Sequence, residues 1–132
     1  MPSARVVAQV VTEAGLWDQS IESLRGSLLQ SWRWGELKSR HGWSPVRLLL
    51  NAEDQPLLAA QVLFRRFGPL SVAYIPRGPA GTDLNSVVTA MLTTALDQVC
   101  RRRNAAIVFV EPDHDSSHLP TTGTLGWSPS QA

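Results

Sequence analysis

Residues 71–83 read SVAYIPRGPAGTD, and this stretch decides the fold. The mostly apolar residues 71–75 predict a short buried strand. Two prolines and two glycines within residues 76–83 predict a shaped loop rather than a strand or a helix. Asp83 is then a suitable helix N-cap, because its carboxylate can accept a hydrogen bond from a free amide of the first turn. The stretch therefore predicts a strand–loop–helix unit.

Downstream of this loop, apolar residues recur at helical spacing. The stripe consists of Leu84, Val87, Val88, Met91, Leu92, Ala95, Leu96 and Val99. Arg101, Arg102 and Arg103 follow, where cations suit the negative end of a helix dipole. Residues 105–110 predict a buried strand, and Glu111 begins a polar loop that extends to about residue 123.

Upstream of the loop, two apolar runs flank a turn over residues 53–56. Residues 46–52 and 57–67 therefore predict an antiparallel hairpin, and residues 5–11 predict a further strand. Helical spacing predicts a helix over 16–28, with Asp18 or Ser20 near its start. Ser31 is the expected cap of a second helix through about residue 40, and Gly42 is a natural left-handed residue after its end.

The predicted order is β-α-α-β-β-β-α-β. We expect an α/β (α+β) fold with a mixed, mostly antiparallel sheet flanked by helices. The 132 residues suit one domain, and the abrupt end after the last strand suggests a fragment of a larger protein.

Composition excludes several function classes. The net charge of +1 gives no argument for nucleic-acid or membrane binding by bulk charge. The single cysteine, Cys100, excludes an internal disulfide, and neither a signal peptide nor an apolar run of ~20 residues occurs. We therefore expect a soluble, cytoplasmic protein. His114 and His118 lie in a polar loop, which favours a solvated segment over a metal site.

The order of three strands, a loop and a helix resembles the acyl-CoA N-acetyltransferase (GNAT) fold. In that fold the loop amides cradle a pyrophosphate at a helix N-terminus, with the pattern Q/R-x-x-G-x-G/A. Here Ala80 and Thr82 occupy the two small positions, and Pro79 removes one amide donor. The scaffold fits this fold, whereas coenzyme A binding is poorly supported.

Three further segments point to a narrower group. They are LQSWRWGELK at residues 29–38, YIPRGP at residues 74–79 and FVEP at residues 109–112. Their order and separation resemble the FemABX family of peptidoglycan-bridge aminoacyltransferases, with its "LQ(S/T)..W..(L/V)K" helix, "Y.PRGP" loop and "EP" strand end. The resemblance covers nearly the whole chain from about Trp17 onward.

The resemblance implies an activity in cell-wall peptidoglycan biosynthesis. Such enzymes transfer an amino acid from aminoacyl-tRNA to a stem-peptide amino group of lipid II or of UDP-MurNAc-pentapeptide, without metal or coenzyme A. They contain two GNAT-like domains in tandem, so this chain would be the amino-terminal one, with the carboxy-terminal domain missing. A lipid-linked acceptor would also imply peripheral proximity to the membrane.

Five residues are the predicted substrate-binding set, and no catalytic residue is assigned. The family places a phosphate-binding lysine at Lys38, which shares a helix face with Trp34; the alternative is a surface lysine stacked on that tryptophan. Arg77 either binds phosphate or carboxylate or pins its own loop. Tyr74 is expected in a groove or, more simply, in the core, and Gly78 is expected to permit the turn.

Other residues and functions remain open at this stage. Glu111 is placed like a general base, but a role in fixing the following loop is favoured. Trp32, Trp43 and Trp127 are predicted to belong to the core or to its hydrophobic closure. The alternative functions are an acyl-CoA N-acetyltransferase and a non-catalytic module that binds the precursor.

Overall fold

The eight predicted elements occur in the predicted order. The computed structural model describes residues 5–81 and 86–112, so Asp83, His114, His118 and Trp127 lie outside the described residues. The elements are β1 (Val6–Val10), α1 (Ala14–Ser23), α2 (Trp32–Ser39), β2 (Ser44–Ala52), β3 (Gln55–Phe67), β4 (Leu70–Ile75), α3 (Ser86–Arg102) and β5 (Ala105–Val110). β4 and α3 thus confirm the strand and the helix predicted on either side of the PRGP loop (residues 76–79), whereas β5, which was predicted to be buried, is mostly exposed.

The strands form one five-stranded sheet in the order β1-β2-β3-β4-β5. The first four strands are antiparallel neighbours, whereas β4 and β5 are parallel. Parallel neighbours need a crossover, and α3 supplies it between β4 and β5. The prediction of a mixed, mostly antiparallel sheet is confirmed.

Helices cover both faces of this sheet, which three consecutive leucines in β2 illustrate. Leu48 and Leu50 pack into the cluster that contains the α3 residues, whereas Leu49 packs with Trp17 and Ile21 of α1. Successive side chains of a strand point to opposite faces, so a run of buried leucines requires apolar partners on both sides. The face of α1 and α2 is the one that carries the candidate site.

The turn between β2 and β3 is shorter than predicted. Only Glu53 and Asp54 lie between the strands, and both have positive φ, of 50° and 65°. Two left-handed residues in succession form the tight connection that matches the twist of a hairpin. Pro56 belongs to β3, opposite Asn51, so the predicted turn over residues 53–56 is wrong at its end.

The predicted helix over residues 16–28 is wrong at both ends. It begins at Ala14 and ends at Ser23, where Arg25 adopts a φ of 55° and the amide of Gly26 donates to the carbonyl of Ile21 at 2.9 Å. This left-handed ending satisfies free carbonyls of the last turn and redirects the chain. Leu28, counted in the apolar stripe, lies instead in a short 3-10 turn and is 78% exposed.

Neither predicted capping residue caps α1. The carboxylate of Asp18 accepts a hydrogen bond from the backbone amide of Trp32 at 2.9 Å, and the Ser20 hydroxyl donates to the Leu16 carbonyl. Asp18 therefore supports the start of α2, next to the predicted cap Ser31, whose hydroxyl oxygen accepts from the Trp34 amide at 3.2 Å. The prediction for Ser31 is confirmed. Propensity identified Asp18 as a capping residue, but packing decided which helix it serves.

The lone cysteine, Cys100, lies on the buried face of α3. Burial raises the pKa of the Cys100 thiol from 9.0 to about 11, and the nearby Asp97 carboxylate adds to the rise. The thiolate is the reactive form of cysteine, so this side chain is an apolar packing group at neutral pH.

We expect the free energy of unfolding to fall in alkaline solution partly because of Cys100. With the folded pKa raised, the contribution is complete below pH 9.0 and is lost as the pH rises through about 11. Urea unfolding over this pH range should show a smaller fall for Cys100→Ala than for the unaltered protein. Equal falls in the two proteins would contradict the assignment.

Candidate functional site

The three segments singled out in the sequence meet at one end of β4. The buried side chain of Gln30, from the first segment, donates through Nε2 to the carbonyl of Pro76 at 2.6 Å. The third segment joins the loop through two backbone hydrogen bonds. The amide of Gly78 donates to the carbonyl of Glu111 at 3.1 Å, and the amide of Glu111 donates to the carbonyl of Ile75 at 3.0 Å. Residues far apart in sequence thus form one hydrogen-bonded unit, which we call the motif junction (Gln30, Ile75, Pro76, Gly78 and Glu111).

Gly78 has a different role from the predicted one. The residue with positive φ in this loop is Arg77, at 51°, so Arg77 makes the turn. A Cβ atom on Gly78 would lie 2.7 Å from Cδ of Gln30 and 2.9 Å from its Nε2 and Oε1 atoms. Glycine is needed here because the Gln30 amide packs directly against the loop backbone.

A buried polar network, which the sequence motifs do not indicate, supports the motif junction. The Oε1 atom of Gln30 accepts from the Gln61 amide at 2.7 Å, and Nε2 of Gln61 donates to the Ser31 carbonyl at 2.8 Å. The guanidinium of Arg47 donates to Oε1 of Gln61 at 2.8 Å and pairs with Glu36 at 3.2 Å. The network fixes α2 and the PRGP loop to β2 and β3, because buried polar groups require these partners.

Arg47 is the charged centre of this network. Its guanidinium carbon lies 3.6 Å from the centroid of the Trp32 ring, a cation–π stack. Burial lowers the pKa of Arg47, whereas its hydrogen bond and ion pair with Glu36 raise it. The sequence carries one signal of this network, because Arg47 is a charged residue inside an otherwise apolar strand. Burying such a charge is costly unless it is paired.

Lys38 and Trp34 lie one turn apart on α2, as their spacing predicts. The Nζ atom of Lys38 is 5.1 Å from the Trp34 ring centroid. The indole Nε1 of Trp34 is buried and has no hydrogen-bond partner among the described residues. A shallow cavity of about 490 Å³ extends along this part of α2, with Arg33 and Trp34 in its lining. Trp34 therefore lines the cavity, and Lys38 lies against the Trp34 ring outside the lining.

A row of contacts links this pair to the PRGP loop. The amide of Trp43 donates to the Lys38 carbonyl at 3.2 Å, and the Trp43 ring lies 6.2 Å from that of Tyr74. The Tyr74 hydroxyl donates to Oε1 of Glu111 at 3.2 Å, and the same oxygen lies 3.8 Å from Nε of Arg77. Trp34, Lys38, Trp43, Tyr74, Glu111 and Arg77 form what we call the site strip.

The site strip clarifies several predicted roles. Tyr74 is half-buried at the rim of the sheet rather than in the core, and Trp43 is half-buried beside it. Burial raises the pKa of the Tyr74 hydroxyl and Glu111 raises it further, so Tyr74 is a neutral donor at physiological pH. The Arg77 guanidinium faces Glu111 and is half exposed, which leaves hydrogen-bonding positions open to solvent.

Two amides of the PRGP loop are engaged within the protein. The Gly78 amide donates to Glu111, and the Ala80 amide donates to the Ala59 carbonyl at 2.7 Å in a bridge to β3. Pro79 has no amide to offer. A pyrophosphate cradle needs free amides, so the amides of Gly78 and Ala80 are not available to one.

Among residues 5–81 and 86–112, no group of three or more His, Cys, Asp or Glu side chains could hold a metal ion. Nor does any helix there combine the length and apolar character needed to cross a membrane.

The sheet order and the helix positions define a protein of the GNAT fold class. The crystal structure of a Trypanosoma brucei acetyltransferase superposes with a TM-score of 0.67 at 14% identity, over 97% of this chain and 96% of that one. The crystal structure of FemX superposes with a TM-score of 0.75 at 23% identity, over 90% of this chain and 30% of that one. These likenesses confirm the predicted fold.

Residues 12–125 match the model of the FemAB family, and the chain belongs to this family. A lipid II:glycine glycyltransferase of Staphylococcus saprophyticus is 30% identical over 91 residues, which are 67% of this chain. The matched region spans 22% of that relative. The resemblance stated on the three segments is confirmed, and the chain corresponds to about a fifth of its curated relative.

Proposed function

We propose that the chain is the amino-terminal, precursor-binding domain of a two-domain aminoacyltransferase of peptidoglycan bridge synthesis. The complete enzyme transfers an amino acid from aminoacyl-tRNA to a stem-peptide amino group of lipid II or its UDP-linked counterpart. The observation that carries the proposal is the site strip, where all three family segments converge on one surface with two cations. Membership of the FemAB family and the name of the relative support the substrate class.

Lys38 is the proposed contact for a phosphate of the precursor. Its cation–π contact with Trp34 engages one side of the ammonium, and the N–H donors that point away from the ring are available to a ligand. A phosphate oxygen at Lys38 would meet a compact positive charge on a helix that the polar network holds in place. The contact of Lys38 with Trp34, considered above as an alternative role, would then hold the ammonium in position for the phosphate.

Arg77 and Tyr74 are proposed to bind the opposite end of the precursor. The ion pair of Arg77 with Glu111 is long, at 3.8 Å, and a half-exposed pair is easily exchanged for a bidentate contact with a phosphate or carboxylate. Glu111 then keeps its contact with Tyr74 and holds the loop, which agrees with the structural role favoured for it. Gly78 contributes by allowing the close approach of Gln30.

In this proposal the domain contributes to catalysis by positioning. The acceptor nitrogen attacks the ester carbonyl of the aminoacyl-tRNA; a C–N bond forms, the C–O bond to the ribose breaks, and the amine proton leaves with the ribose oxygen. An aligned amine and ester react at a high effective concentration, which can lower a barrier by ~7–11 kcal/mol. A precursor held along the site strip would supply half of this alignment.

We expect UDP-MurNAc-pentapeptide to bind the chain saturably in a calorimetric titration. Lys38→Ala and Arg77→Ala should each weaken binding about tenfold or more, because a hydrogen bond to a charged group contributes ~1.5–3 kcal/mol. Arg5→Ala is the matched control, since Arg5 is exposed and precedes β1, far from the site strip. Acetyl-CoA should give no heat and no shift in melting temperature.

Three results would contradict the proposal. Unchanged affinity in both Lys38→Ala and Arg77→Ala would remove the site strip as the binding surface. Saturable binding of acetyl-CoA by the folded chain would instead favour an acyl-CoA N-acetyltransferase. Binding of the precursor without transfer, even when the complete two-domain protein is supplied with aminoacyl-tRNA, would identify a non-catalytic module.

A further inference from the structure

The hairpin between β3 and β4 ends in an exposed apolar tip. Phe67 and Leu70 face each other across Gly68 and Pro69, and their side chains are 59% and 52% exposed. Gly68 adopts a φ of 63° with nothing near it, so the turn projects into solvent. We call residues 67–70 the hairpin tip. A paired phenylalanine and leucine at the end of a protruding turn contribute nothing to the core.

Arginines surround this tip from two directions. Arg65 and Arg66 precede it on β3, and Arg101, Arg102 and Arg103 end α3; all five are exposed. Backbone contacts bring the two runs together, since the Ser71 amide donates to the carbonyl of Asn104 at 3.0 Å. We call these five residues the arginine cluster.

A shallow cavity of about 500 Å³ lies behind the tip. Arg66, Arg102 and Arg103 line it, together with the hydroxyl-bearing Ser39, Ser44 and Ser71. Arg103 is already oriented, because its Nη1 donates to Oγ of Ser44 at 2.9 Å and its guanidinium lies 5.0 Å from the Phe64 ring. Arginines and hydroxyl groups around a concave surface suit a phosphate group.

Most arginines of the cluster have no ion-pair partner among the described residues. There the arginine cluster has one ion pair, between Arg101 and Asp97 at 2.8 Å. The whole protein has a formal charge of only +1, so these arginines make a local positive surface on a nearly neutral molecule. The exposed apolar pair suits the apolar boundary of a lipid bilayer, and the surrounding arginines suit its anionic headgroups.

We propose that the hairpin tip and the arginine cluster form a docking surface for an anionic membrane. Phe67 and Leu70 insert at the level of the headgroups, and the arginines bind headgroup phosphates. A nucleic acid would also attract the arginines, but an aliphatic leucine beside a proline offers no planar surface for base stacking. The apolar tip therefore favours lipid over RNA as the partner.

The orientation of the docked domain rests on the proposed function. Strand β4 begins at the tip and ends at the site strip, and six residues of strand span roughly 20 Å. A docked domain would thus hold Arg77 about that far above the headgroups, and Lys38 nearer to them beside Ser39 of the cavity. A lipid-linked precursor has the same order, with its diphosphate at the membrane and its stem peptide farther out.

Cosedimentation with vesicles tests this surface without any precursor. We expect the chain to bind vesicles of phosphatidylcholine with phosphatidylglycerol, to bind those of phosphatidylcholine alone weakly, and to be released by salt. Arg66→Ala and Arg102→Ala should each lower the partition constant roughly fivefold, since a basic residue near an anionic surface contributes about that factor. Phe67→Ser should lower it at least as much. Arg5→Ala and Val7→Ser are the matched controls, at the opposite end of the sheet.

The outcomes separate this inference from the proposed function. If Phe67→Ser, Arg66→Ala and Arg102→Ala partition like the unaltered chain while circular dichroism shows them folded, the docking surface is refuted. The inference is also overturned if tRNA binds with a dependence on Arg66 and Arg102 and the anionic vesicles do not bind. Neither result alters the calorimetric test, because the soluble UDP-linked precursor involves no membrane.

Discussion

Gly35→Ala is expected to lower the free energy of unfolding by about 2–4 kcal/mol, although alanine favours a helix over glycine. Gly35 is buried in α2, against the polar network. A Cβ atom there would lie 2.5 Å from Nη2 of Arg47 and would overlap Oε1 of Gln61. There is therefore no space for a methyl group at Gly35, where the side chains of Arg47 and Gln61 hold α2 against the sheet.

These neighbours cannot move aside without losing hydrogen bonds. The Nη2 atom of Arg47 donates to the Trp32 carbonyl at 3.0 Å and pairs with Glu36, while its Nε atom donates to Oε1 of Gln61. A shift of the guanidinium would leave a buried charge with fewer partners, which is costly. A shift of α2 would instead carry Lys38 away, so precursor affinity should fall together with stability.

Gly15→Ala is the matched control, because Gly15 also lies in a helix, α1. Its Cβ would meet only the Glu13 side chain, at an ordinary 3.5 Å. This substitution should stabilise the protein by about 0.5–1 kcal/mol through the entropy of the unfolded chain. Urea unfolding of both variants provides the measurement. Stabilisation by alanine at both positions would show that the network does not pack against α2 as described.

Gln30→Ala is expected to lower the free energy of unfolding by roughly 3–5 kcal/mol, because buried partners lose their hydrogen bonds. The Gln61 amide would lose its acceptor and the Pro76 carbonyl would lose its donor, in a region that excludes water. Each orphaned group costs ~1–3 kcal/mol, and the cavity left by the side chain adds to this.

The same substitution should loosen the PRGP loop. Gln30 is the side chain against which Gly78 packs, so its removal frees the loop on that side. Hydrogen exchange at the Gly78 amide should accelerate more than exchange in α3. Gln98→Ala, at an exposed position of α3, is the control and should change stability by less than about 0.5 kcal/mol. If the two glutamine variants unfold at the same urea concentration, Gln30 does not hold the motif junction together.

The element order was predictable because it depends on local patterns. Apolar periodicity identifies α3 whatever packs against it, and β-rich runs between turn residues identify the strands. Ends were predicted less well where packing outweighs propensity. Asp18 caps the neighbouring helix, and α1 stops at Ser23 although the apolar stripe continues to Leu28.

The candidate site was predictable only in part. Motifs indicate Lys38, Trp34, Tyr74, Arg77 and Gly78, and the contacts of Trp43 and Glu111 connect the first four of them in the structure. The sequence predicts Trp43 in the core or in its hydrophobic closure, because an aromatic residue next to a strand is usually buried and the sequence does not show its neighbours. Its contact with Tyr74 arises because Trp43 precedes β2 and Tyr74 lies in β4 of the same folded sheet, and sequence spacing does not predict this contact.

By itself, the sequence determined the family, the order of the strands and helices, and the segments that carry the site. These properties depend on residue types within short windows, where backbone and side-chain preferences act locally. The tertiary structure alone decided that Gln30, Gln61 and Arg47 form one network and that Gly35 and Gly78 must lack side chains. A buried polar group is stable only beside a specific partner, and that partner lies many residues away, so its identity emerges only when the chain is folded.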